Sequence, residues 1–370
     1  MTLQRVPIPP GPDGLAALLP ALQDALVATS EPIAPVPTVS ATISTEYVTK
    51  LLNAIALDEP THELTAVVLT TSGSTGKPRA VEFSTENFAA IGDSVAINHS
   101  WVAALPLTSV GGFNVAARAV LSGGQIVAVD SLGGATPFTP KGFAAAVNAL
   151  DDLIATSLVP AQLSRLLHDD EGVAALQRCS TILVGGGATD PELVRRAAWN
   201  KIRVTLTYGM TETTGGCVFN GIPVGDTEVT IESDRIRLTG SSIALKYRDT
   251  YREFGGTFLT NDIGTFIDGM LHVTGRIDDV VMINGVNVSP VAVEHLLRSI
   301  PSVHDAAVIV VNDALCAFVA TDAPFTPDAA RQLVATELGK VAVPTTITQV
   351  DALPYLPNGK IDRMTLAQDA

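Results

Sequence analysis

The stretch Leu69-Thr70-Thr71-Ser72-Gly73-Ser74-Thr75-Gly76-Lys77-Pro78-Arg79 decides the fold of this chain. The apolar run at residues 65–69 leads into it and predicts a buried strand. Ser84-Thr85-Glu86-Asn87 follows it and is typical of a helix start. Glycines let a backbone approach an anion closely, hydroxyls donate hydrogen bonds, and lysine adds a mobile positive charge. The stretch therefore predicts a polyphosphate-binding loop between a strand and a helix.

The spacing of this loop differs from that of a Walker loop. A Walker loop has four residues between its first glycine and a Gly-Lys pair, which Ser or Thr follows. Here two residues separate Gly73 from Gly76, and Pro78 follows Lys77. A Ser/Gly-rich connection that binds nothing is the alternative interpretation. The full string favours a phosphate loop of another class.

Composition and charge bound the class of protein. The chain has 370 residues, 46% of them hydrophobic and 16% charged, which predicts one large domain with a large core plus a smaller domain. The net charge of −15 argues against a nucleic-acid surface. No run is long enough to span a bilayer. The three cysteines are scattered and odd in number, so we expect a reducing cytoplasm and no disulfide framework.

Strands and helices alternate along the first two thirds of the chain, which predicts parallel sheets covered by helices. Strands are predicted at residues 66–69, 101–105, 125–129, 153–157, 181–184 and 203–207. Helices are predicted at residues 15–29, 45–57, 85–96, 113–121, 140–149, 160–168 and 191–199. Further on, short strands at 228–232, 235–239, 257–260, 264–267 and 271–273 predict a small antiparallel barrel or sheet.

A third pattern begins after Arg276. A strand at 280–283, a helix opened by Ser289-Pro290, strands at 305–311 and 315–321 and a helix at 327–338 form an α+β unit able to fold on its own. We place the domain boundary at Asp278. The predicted fold is α/β, with a core domain at residues 1–277 and a cap domain at residues 278–370.

Two further motifs lie at strand ends, where parallel sheets bind ligands. In Tyr208-Gly209-Met210-Thr211-Glu212, the ring can stack on a purine, the threonine can donate to a phosphate, and the carboxylate can hold Mg²⁺. Gly185-Gly186-Gly187-Ala188 allows backbone to lie flat against a planar ring. The alternatives are a turn with incidental polar residues and a flexible strand-to-helix connection.

Two single residues are candidates of the same kind. Asp262 follows a predicted strand, and an aspartate there can accept two hydroxyls of a ribose. A β-turn aspartate is the alternative. Lys360 follows Asn358-Gly359, a turn that presents it, although a lone lysine near a C-terminus is usually a solvated charge.

Five motifs in this order, spanning residues 70–363, resemble the adenylate-forming (AMP-binding) enzymes, which include acyl-CoA synthetases, firefly luciferase and peptide-synthetase adenylation domains. The resemblance implies ATP and Mg²⁺ as ligands and a mobile C-terminal domain. It also implies that Asp278 is the hinge. Arg79-Ala80 stands where Lys-Gly is common in the family.

The resemblance also implies a role for each matching residue. The phosphate loop would consist of Thr71, Ser72, Gly73, Ser74, Thr75, Gly76 and Lys77. Adenine and ribose would contact Gly185, Gly186, Gly187, Ala188, Tyr208, Asp262 and Arg276. The catalytic residues would be Thr211 on the α-phosphate, Glu212 on Mg²⁺, Arg276 on ribose or phosphate, and Lys360 between the substrate carboxylate and the α-phosphate.

The resemblance is less specific about the carboxylic acid substrate. Ser109 stands where the family carries an aromatic residue or His, and the resemblance implies an acyl pocket formed by Ser109, Gly111, Gly112 and Gly209. A short N-terminal part and residues 155–163 and 285–290 look most like the compact o-succinylbenzoate–CoA ligases of menaquinone synthesis. That resemblance implies an acyl-adenylate that coenzyme A converts into a thioester. For the second carboxylate of such an acid, Arg118 is a candidate.

Other functions stay open at this point. The chain could be another aryl- or acyl-CoA ligase, or a stand-alone adenylation enzyme that loads a carrier protein. It could also be a non-catalytic ATP sensor or a scaffold. Glu212, Arg276 and Lys360 together argue against a sensor, which needs no catalytic lysine. The expected partners are a small carboxylic acid, ATP and coenzyme A, and a homodimer is left open.

Overall fold

A computed structural model describes residues 3–27, 31–71, 77–92, 95, 98–134, 136–151, 153–277, 281–283, 285–321, 323–354 and 361–368. The helices are α1 (Pro12–Val27), α2 (Thr45–Ile55), α3 (Thr85–Gly92), α4 (Val110–Ser122), α5 (Pro140–Asn148), α6 (Pro160–Leu167), α7 (Asp170–Arg178), α8 (Pro191–Trp199), α9 (Pro290–Arg298), α10 (Pro327–Glu337) and α11 (Arg363–Leu366). Among the described residues, no helix is both long and apolar enough to cross a lipid bilayer.

The strands before residue 225 build two mixed sheets. They are β1 (Gln4–Ile8), β2 (Ile33–Pro37), β3 (Val67–Thr70), β4 (Ala80–Phe83), β5 (Ser100–Ala103), β6 (Ile126–Ala128), β7 (Ile154–Leu158), β8 (Cys179–Val184), β9 (Thr205–Met210), β10 (Gly215–Phe219) and β11 (Ile222–Pro223). The later strands are β12 (Glu228–Glu232), β13 (Arg235–Thr239), β14 (Lys246–Tyr247), β15 (Thr257–Ile267), β16 (Met270–Arg276), β17 (Val281–Ile283), β18 (Val286–Val288), β19 (Val303–Val311), β20 (Ala314–Thr321) and β21 (Thr346–Val350).

The first sheet has the order β1-β2-β3-β4-β14. The Pro-rich pieces on either side of α1 are its strands β1 and β2, which the sequence did not predict because proline normally argues against a strand. Only Ile33 of β2 pairs with β3. Pro35 and Pro37, which have no N–H to donate, lie outside that pairing and so cost it no hydrogen bond. All five residues of β2 are buried, and burial holds this strand in place.

The predicted phosphate loop lies between β3 and β4, which pair antiparallel with Thr70 opposite Ala80. The prediction of a direct strand-to-helix connection is therefore wrong, since β4 lies between the loop and α3. Both faces of β4 are buried, so it lacks the alternation that would have identified it. The helix start at Thr85 is confirmed.

The second sheet has the order β11-β10-β9-β8-β7-β5-β6. Its strands from β6 to β9 are parallel, as predicted, and β10 is antiparallel to β9. The sequence did not predict α7, a short helix that buries only Gly172, Ala175 and Leu176. Helix α4 begins three residues before its predicted start because Ser109 caps it.

A third sheet has the order β12-β13-β15-β16. Of the two predicted alternatives, a small barrel or a sheet, this part of the chain forms a sheet. The predicted β12–β13 hairpin turns at Ser233-Asp234, where φ is +49° and +67°. The two short strands predicted at 257–260 and 264–267 are one strand of 11 residues, β15. Asp262 is buried within it, which excludes the β-turn interpretation of this aspartate.

The contacts between residues divide the chain into two compact units. One comprises Met1–Thr230, Arg237–Leu259 and Phe266–Leu271, and the other comprises Ile231–Ile236, Thr260–Thr265 and His272–Ala370. The second unit has a core of its own, in which Val293 and Leu297 of α9 pack with Val308 and Val319. The predicted boundary at Asp278 lies outside the described residues and stays a prediction.

Candidate functional site

The glycine run and Tyr208 lie at the carboxyl ends of the neighbouring parallel strands β8 and β9, where Val184 pairs with Leu206. A Cβ atom on Gly185 would lie 2.2 Å from Thr207 Oγ1, so only glycine lets the two strand ends approach this closely. Gly187 is exposed, and a Cβ on it would have no atom of the described residues within 4 Å. This glycine thus borders open space, as a face for a planar ring requires.

A short 3₁₀ turn at Thr211–Thr213 presents Glu212 directly after β9. The Met210 N–H donates to Thr213 Oγ1 over 3.0 Å, which closes the turn. Beside it, a Cβ on Gly209 would lie 1.9 Å from the Gly215 carbonyl oxygen. The prediction that Gly209 lines the acyl pocket is untested, but its lack of a side chain is required for β9 and β10 to pair.

Tyr247 holds the carboxylate of Glu212. Its Oη donates to Glu212 Oε1 over 2.5 Å, while the Ala244 N–H donates to the Glu212 carbonyl over 2.9 Å. Burial and the Glu212 charge both raise the pKa of Tyr247, so the phenol stays protonated and can donate. One oxygen of Glu212 therefore has a fixed donor.

Arg79, which follows the phosphate loop, packs on the other side of this contact. Its Cζ lies 3.3 Å from the centroid of the Tyr247 ring. Asp249 accepts from Arg79 Nε over 3.0 Å and from Nη2 over 2.6 Å, and this hydrogen bonding raises the pKa of Arg79. The sequence showed Arg79 only as a departure from the family, and it did not indicate Tyr247 or Asp249.

The phosphate loop is closed at its base by two hydrogen bonds. The Thr71 N–H donates to the Arg79 carbonyl over 2.7 Å, and the Arg79 N–H donates to Thr71 Oγ1 over 3.0 Å. Lys77 is exposed. The predicted residues between them, Ser72, Gly73, Ser74, Thr75 and Gly76, lie outside the described residues.

Strand β14, which carries Tyr247, is anchored by a buried carboxylate on β4. Glu82 accepts from Arg248 Nη1 over 2.9 Å, from Thr65 Oγ1 over 2.6 Å and from the His62 N–H over 2.8 Å. Arg248 also donates to the carbonyls of Ala56 and Glu59. These contacts fix the position of the neighbouring Tyr247.

In the second unit, Asp262 and Arg276 form an ion pair of 3.0 Å. The side chain of Asp262 is 8% exposed and that of Arg276 is 38% exposed, so the guanidinium reaches solvent. The two predicted ribose contacts therefore lie together. Lys360 and Asp278 lie outside the described residues, and their predicted roles stay predictions.

The predicted acyl-pocket residues lie at the start of α4. The Ser109 hydroxyl donates to the Pro106 carbonyl over 2.7 Å and accepts from the Gly112 N–H, so it caps the helix. A Cβ on Gly112 would lie 2.2 Å from the Pro106 carbonyl oxygen, which requires glycine for close packing. Gly111 faces the side chain of Leu105.

Further along α4, Arg118 is buried and faces the ring of Trp101, whose centroid lies 5.6 Å from its Cζ. Burial lowers the pKa of Arg118 to about 10, so it remains charged at neutral pH. Among the residues the structure describes, no carboxylate or hydrogen-bond acceptor pairs with this guanidinium. Within the described part of the chain, the buried indole N–H of Trp101 also has no acceptor.

The described side chains could bind Mg²⁺ only together with the phosphates of a nucleotide. The described part of the chain contains no cluster of three or more His, Cys, Asp or Glu residues that could hold a metal ion. Mg²⁺ is often bound by one or two carboxylates plus substrate phosphates. The carboxylate of Glu212, near the base of the predicted phosphate loop, is chemically suited to be a ligand of that kind.

Comparisons with known proteins show the family of this chain. The family model of the AMP-binding enzymes matches residues 15–243, and that of their C-terminal domain matches residues 292–360. A probable 2-succinylbenzoate–CoA ligase from Mycobacterium tuberculosis (strain ATCC 25618 / H37Rv) is 33% identical, over 97% of this chain and 96% of the relative.

Solved structures share the fold. An o-succinylbenzoate CoA synthetase (MenE) from Bacillus subtilis, in complex with the acyl-adenylate OSB-AMP, has a TM-score of 0.77 at 20% identity, covering 98% of this chain and 87% of that chain. The amide bond synthetase McbA from Marinactinospora thermotolerans has a TM-score of 0.71 at 23% identity, covering 99% and 79%. At this identity the likeness shows the fold alone. Since the family model covers more than half of the chain and the mycobacterial relative aligns along nearly all of it, this chain is a member of the AMP-binding enzyme family.

Proposed function

We propose that this chain is an AMP-forming acid–CoA ligase that converts o-succinylbenzoate into o-succinylbenzoyl-CoA in menaquinone synthesis. The names of its relatives support this reaction. The observation that carries the substrate is the guanidinium of Arg118, which is buried beside Trp101 without an anionic partner among the described residues. A buried charge is costly unless it is paired, and a second carboxylate of the acid would pair it.

The position of Arg118 fits such a role. Asn114 lies four residues earlier on α4, hence on the same helix face, and donates to the Thr214 carbonyl over 2.5 Å. Thr214 directly follows the Thr211–Thr213 turn that presents Glu212. Arg118 therefore lies about one helical turn from a contact with the catalytic segment. The Trp101 ring at the same place suits an aromatic acid.

The reaction has two halves. The carboxylate of the acid attacks the α-phosphorus of ATP, the bond to pyrophosphate breaks, and an acyl-adenylate forms. The thiol of coenzyme A then attacks the acyl carbon, loses its proton and displaces AMP. Catalysis requires positioning and charge stabilisation, so no side-chain nucleophile is needed.

We assign the chain's own residues to these steps as follows. Thr71, Lys77 and the loop between them would bind the phosphates, Thr211 would donate to the α-phosphate, and Lys360 would stabilise the charge that develops there. Bound Mg²⁺ would neutralise phosphate charge, with Glu212 as its protein ligand. Tyr208 and the glycine run would bind adenine, and the Asp262–Arg276 pair would bind ribose.

The remaining assignments concern the second half-reaction, the hinge and the cellular compartment. Coenzyme A is the proposed thiol, and Asp278 is the proposed hinge between residues 1–277 and 278–370. We place the reaction in the cytoplasm, in keeping with three unpaired cysteines, Cys179, Cys217 and Cys316.

The test is a product assay over a panel of carboxylic acids, with and without coenzyme A. We expect AMP, pyrophosphate and a thioester with o-succinylbenzoate. ADP as a product would contradict the adenylate mechanism. Turnover of other acids but not of o-succinylbenzoate would leave the mechanism standing and refute the substrate.

A further inference from the structure

The contact between Tyr247 and Glu212 has no role among those assigned above. It joins residues 35 positions apart in the sequence, and in it a hydroxyl donates to a carboxylate. A hydroxyl that donates to one oxygen of a carboxylate restricts rotation of the whole group. Glu212 is therefore oriented before any ligand binds.

The Tyr247 ring is itself held on several sides. The guanidinium of Arg79 lies over it at 3.3 Å from the centroid. Phe254 packs edge-on at a centroid distance of 4.9 Å, and Phe258 does so at 6.5 Å. Such aromatic and cation–π contacts each favour one orientation of the ring. The phenol oxygen consequently has little freedom to move away from Glu212.

Arg79 links this ring to the phosphate loop. Its backbone closes the base of the loop through Thr71, and its side chain is clamped by both carboxylate oxygens of Asp249. A planar guanidinium can stack on a ring and bind a carboxylate with two parallel hydrogen bonds at the same time, which an ammonium group cannot do. The base of the loop and the Glu212 carboxylate are thus joined by a continuous chain of contacts.

We propose that Tyr247 is a positioning residue that orients Glu212 for Mg²⁺ on the bound nucleotide, and that Arg79 holds Tyr247 in register with the phosphate loop. This inference rests on the proposed function. Groups that orient a metal ligand typically matter by about 10- to 100-fold in metal affinity or activity. A merely structural role of Tyr247 would instead weaken nucleotide binding equally with and without metal.

The test compares the dissociation constants of ATP measured by calorimetry in excess Mg²⁺ and in EDTA. We expect Tyr247→Phe to weaken binding of MgATP by about 10- to 100-fold and to leave metal-free ATP unaffected. Arg79→Lys keeps the charge and should shift MgATP binding in the same direction by a smaller factor. Tyr251→Phe removes the hydroxyl of a fully exposed tyrosine four residues away and should change neither constant.

Equal weakening with and without Mg²⁺ would overturn the inference, as would unchanged MgATP binding by a folded Tyr247→Phe protein. If Tyr247→Phe fails to fold, Arg79→Lys carries the same comparison, and unchanged MgATP binding by that variant overturns the inference. Wild-type protein that does not bind MgATP at all would refute the proposed function instead, so the two failures are distinguishable.

Discussion

At the residue scale, Glu82 shows how a buried charge is tolerated in this protein. Its carboxylate is fully buried and is satisfied by Arg248, Thr65 and the backbone of His62. Arg248 is itself almost wholly buried, with 2% of its side chain exposed. Removing one partner of such a pair leaves the other charge without compensation.

Glu82→Gln should therefore lower the free energy of unfolding by about 3 kcal/mol, measured by denaturant titration. The matched control is Glu46→Gln, which breaks the exposed Glu46–Lys50 pair and should have no measurable effect. Equal stability of the Glu82→Gln and wild-type proteins would mean that this pair does not anchor β14.

Arg118 is the opposite case, a buried charge without a described anionic partner. Because burial lowers its pKa to about 10 from the ordinary value, its protonated form is less favourable in the folded protein than in the unfolded one. The charge thus destabilises the fold at neutral pH, and this cost disappears only as the pH rises through the folded pKa. A residue that costs stability and is buried near the proposed catalytic segment is a functional candidate.

Arg118→Met should unfold at a temperature no lower than that of the wild type. It should raise KM for o-succinylbenzoate by roughly 30-fold, or about 2 kcal/mol, because a buried charge pair is lost. KM for 3-benzoylpropionate, which lacks the ring carboxylate, should not change. Arg195→Met, at an exposed arginine, serves as the control. An equal rise in KM for both acids would show that Arg118 does not recognise the second carboxylate.

At the element scale, two glycines near the site have different reasons to be glycine. Gly209 lies between β9 and β10, where a Cβ would meet the Gly215 carbonyl oxygen at 1.9 Å. That atom is backbone, so the strands themselves would have to separate. Gly187 lies in the connection that follows β8, and a Cβ on it would have no described atom within 4 Å. Only the first glycine is required by packing.

Gly209→Ala should therefore destabilise the protein by about 2 kcal/mol, because overpacking forces a backbone shift. Gly187→Ala should unfold like the wild type but bind ATP more weakly, since its methyl group would enter the space assigned to adenine. Thermal denaturation and ATP calorimetry on both variants measure this contrast. Wild-type ATP affinity of Gly187→Ala would mean that the glycine run does not face the nucleotide.

The elements also show where sequence patterns were sufficient. Helices α6 and α8 begin at their predicted prolines, because proline at the first helical position is a local signal. Strand β4 and the continuous β15 were not predicted, because a strand buried on both faces carries no alternation and a polar Asn261-Asp262 pair is typical of a turn.

At the scale of the whole molecule, the two half-reactions place different requirements on the C-terminal domain. In the proposed reaction, Lys360 acts over the acyl carbon in the first half, and the thiol needs a path to that carbon in the second. One domain can supply both only by rotating about a few boundary residues. The proposed pivot is Asp278, which lies between β16 and β17 in the sequence.

Asp278→Pro fixes φ and removes an amide donor, so it should separate the two half-reactions. We expect adenylate formation to survive and thioester formation from pre-made adenylate to collapse, both measured in single turnover. Asp278→Ala, which leaves φ free, should retain both rates. Near wild-type rates in both halves for the proline variant would show that Asp278 is not the pivot.

The sequence by itself determined the order of most strands and helices and the α+β character of the C-terminal part, and it predicts the phosphate loop. These features depend on local signals, namely glycine and hydroxyl runs, caps and hydrophobic periodicity. It also named Glu212, Asp262 and Arg276, because each belongs to a motif of adjacent residues.

Only the tertiary structure decided what surrounds Glu212. Arg79 meets Asp249 across 170 positions, Arg248 meets Glu82 across 166, and Tyr247 meets Glu212 across 35. No periodicity relates residues so far apart, since their contacts arise when β14 pairs with β4. The same holds for Arg118, whose lack of a described anionic partner depends on what packs around α4 and could not be read from its neighbours in the chain.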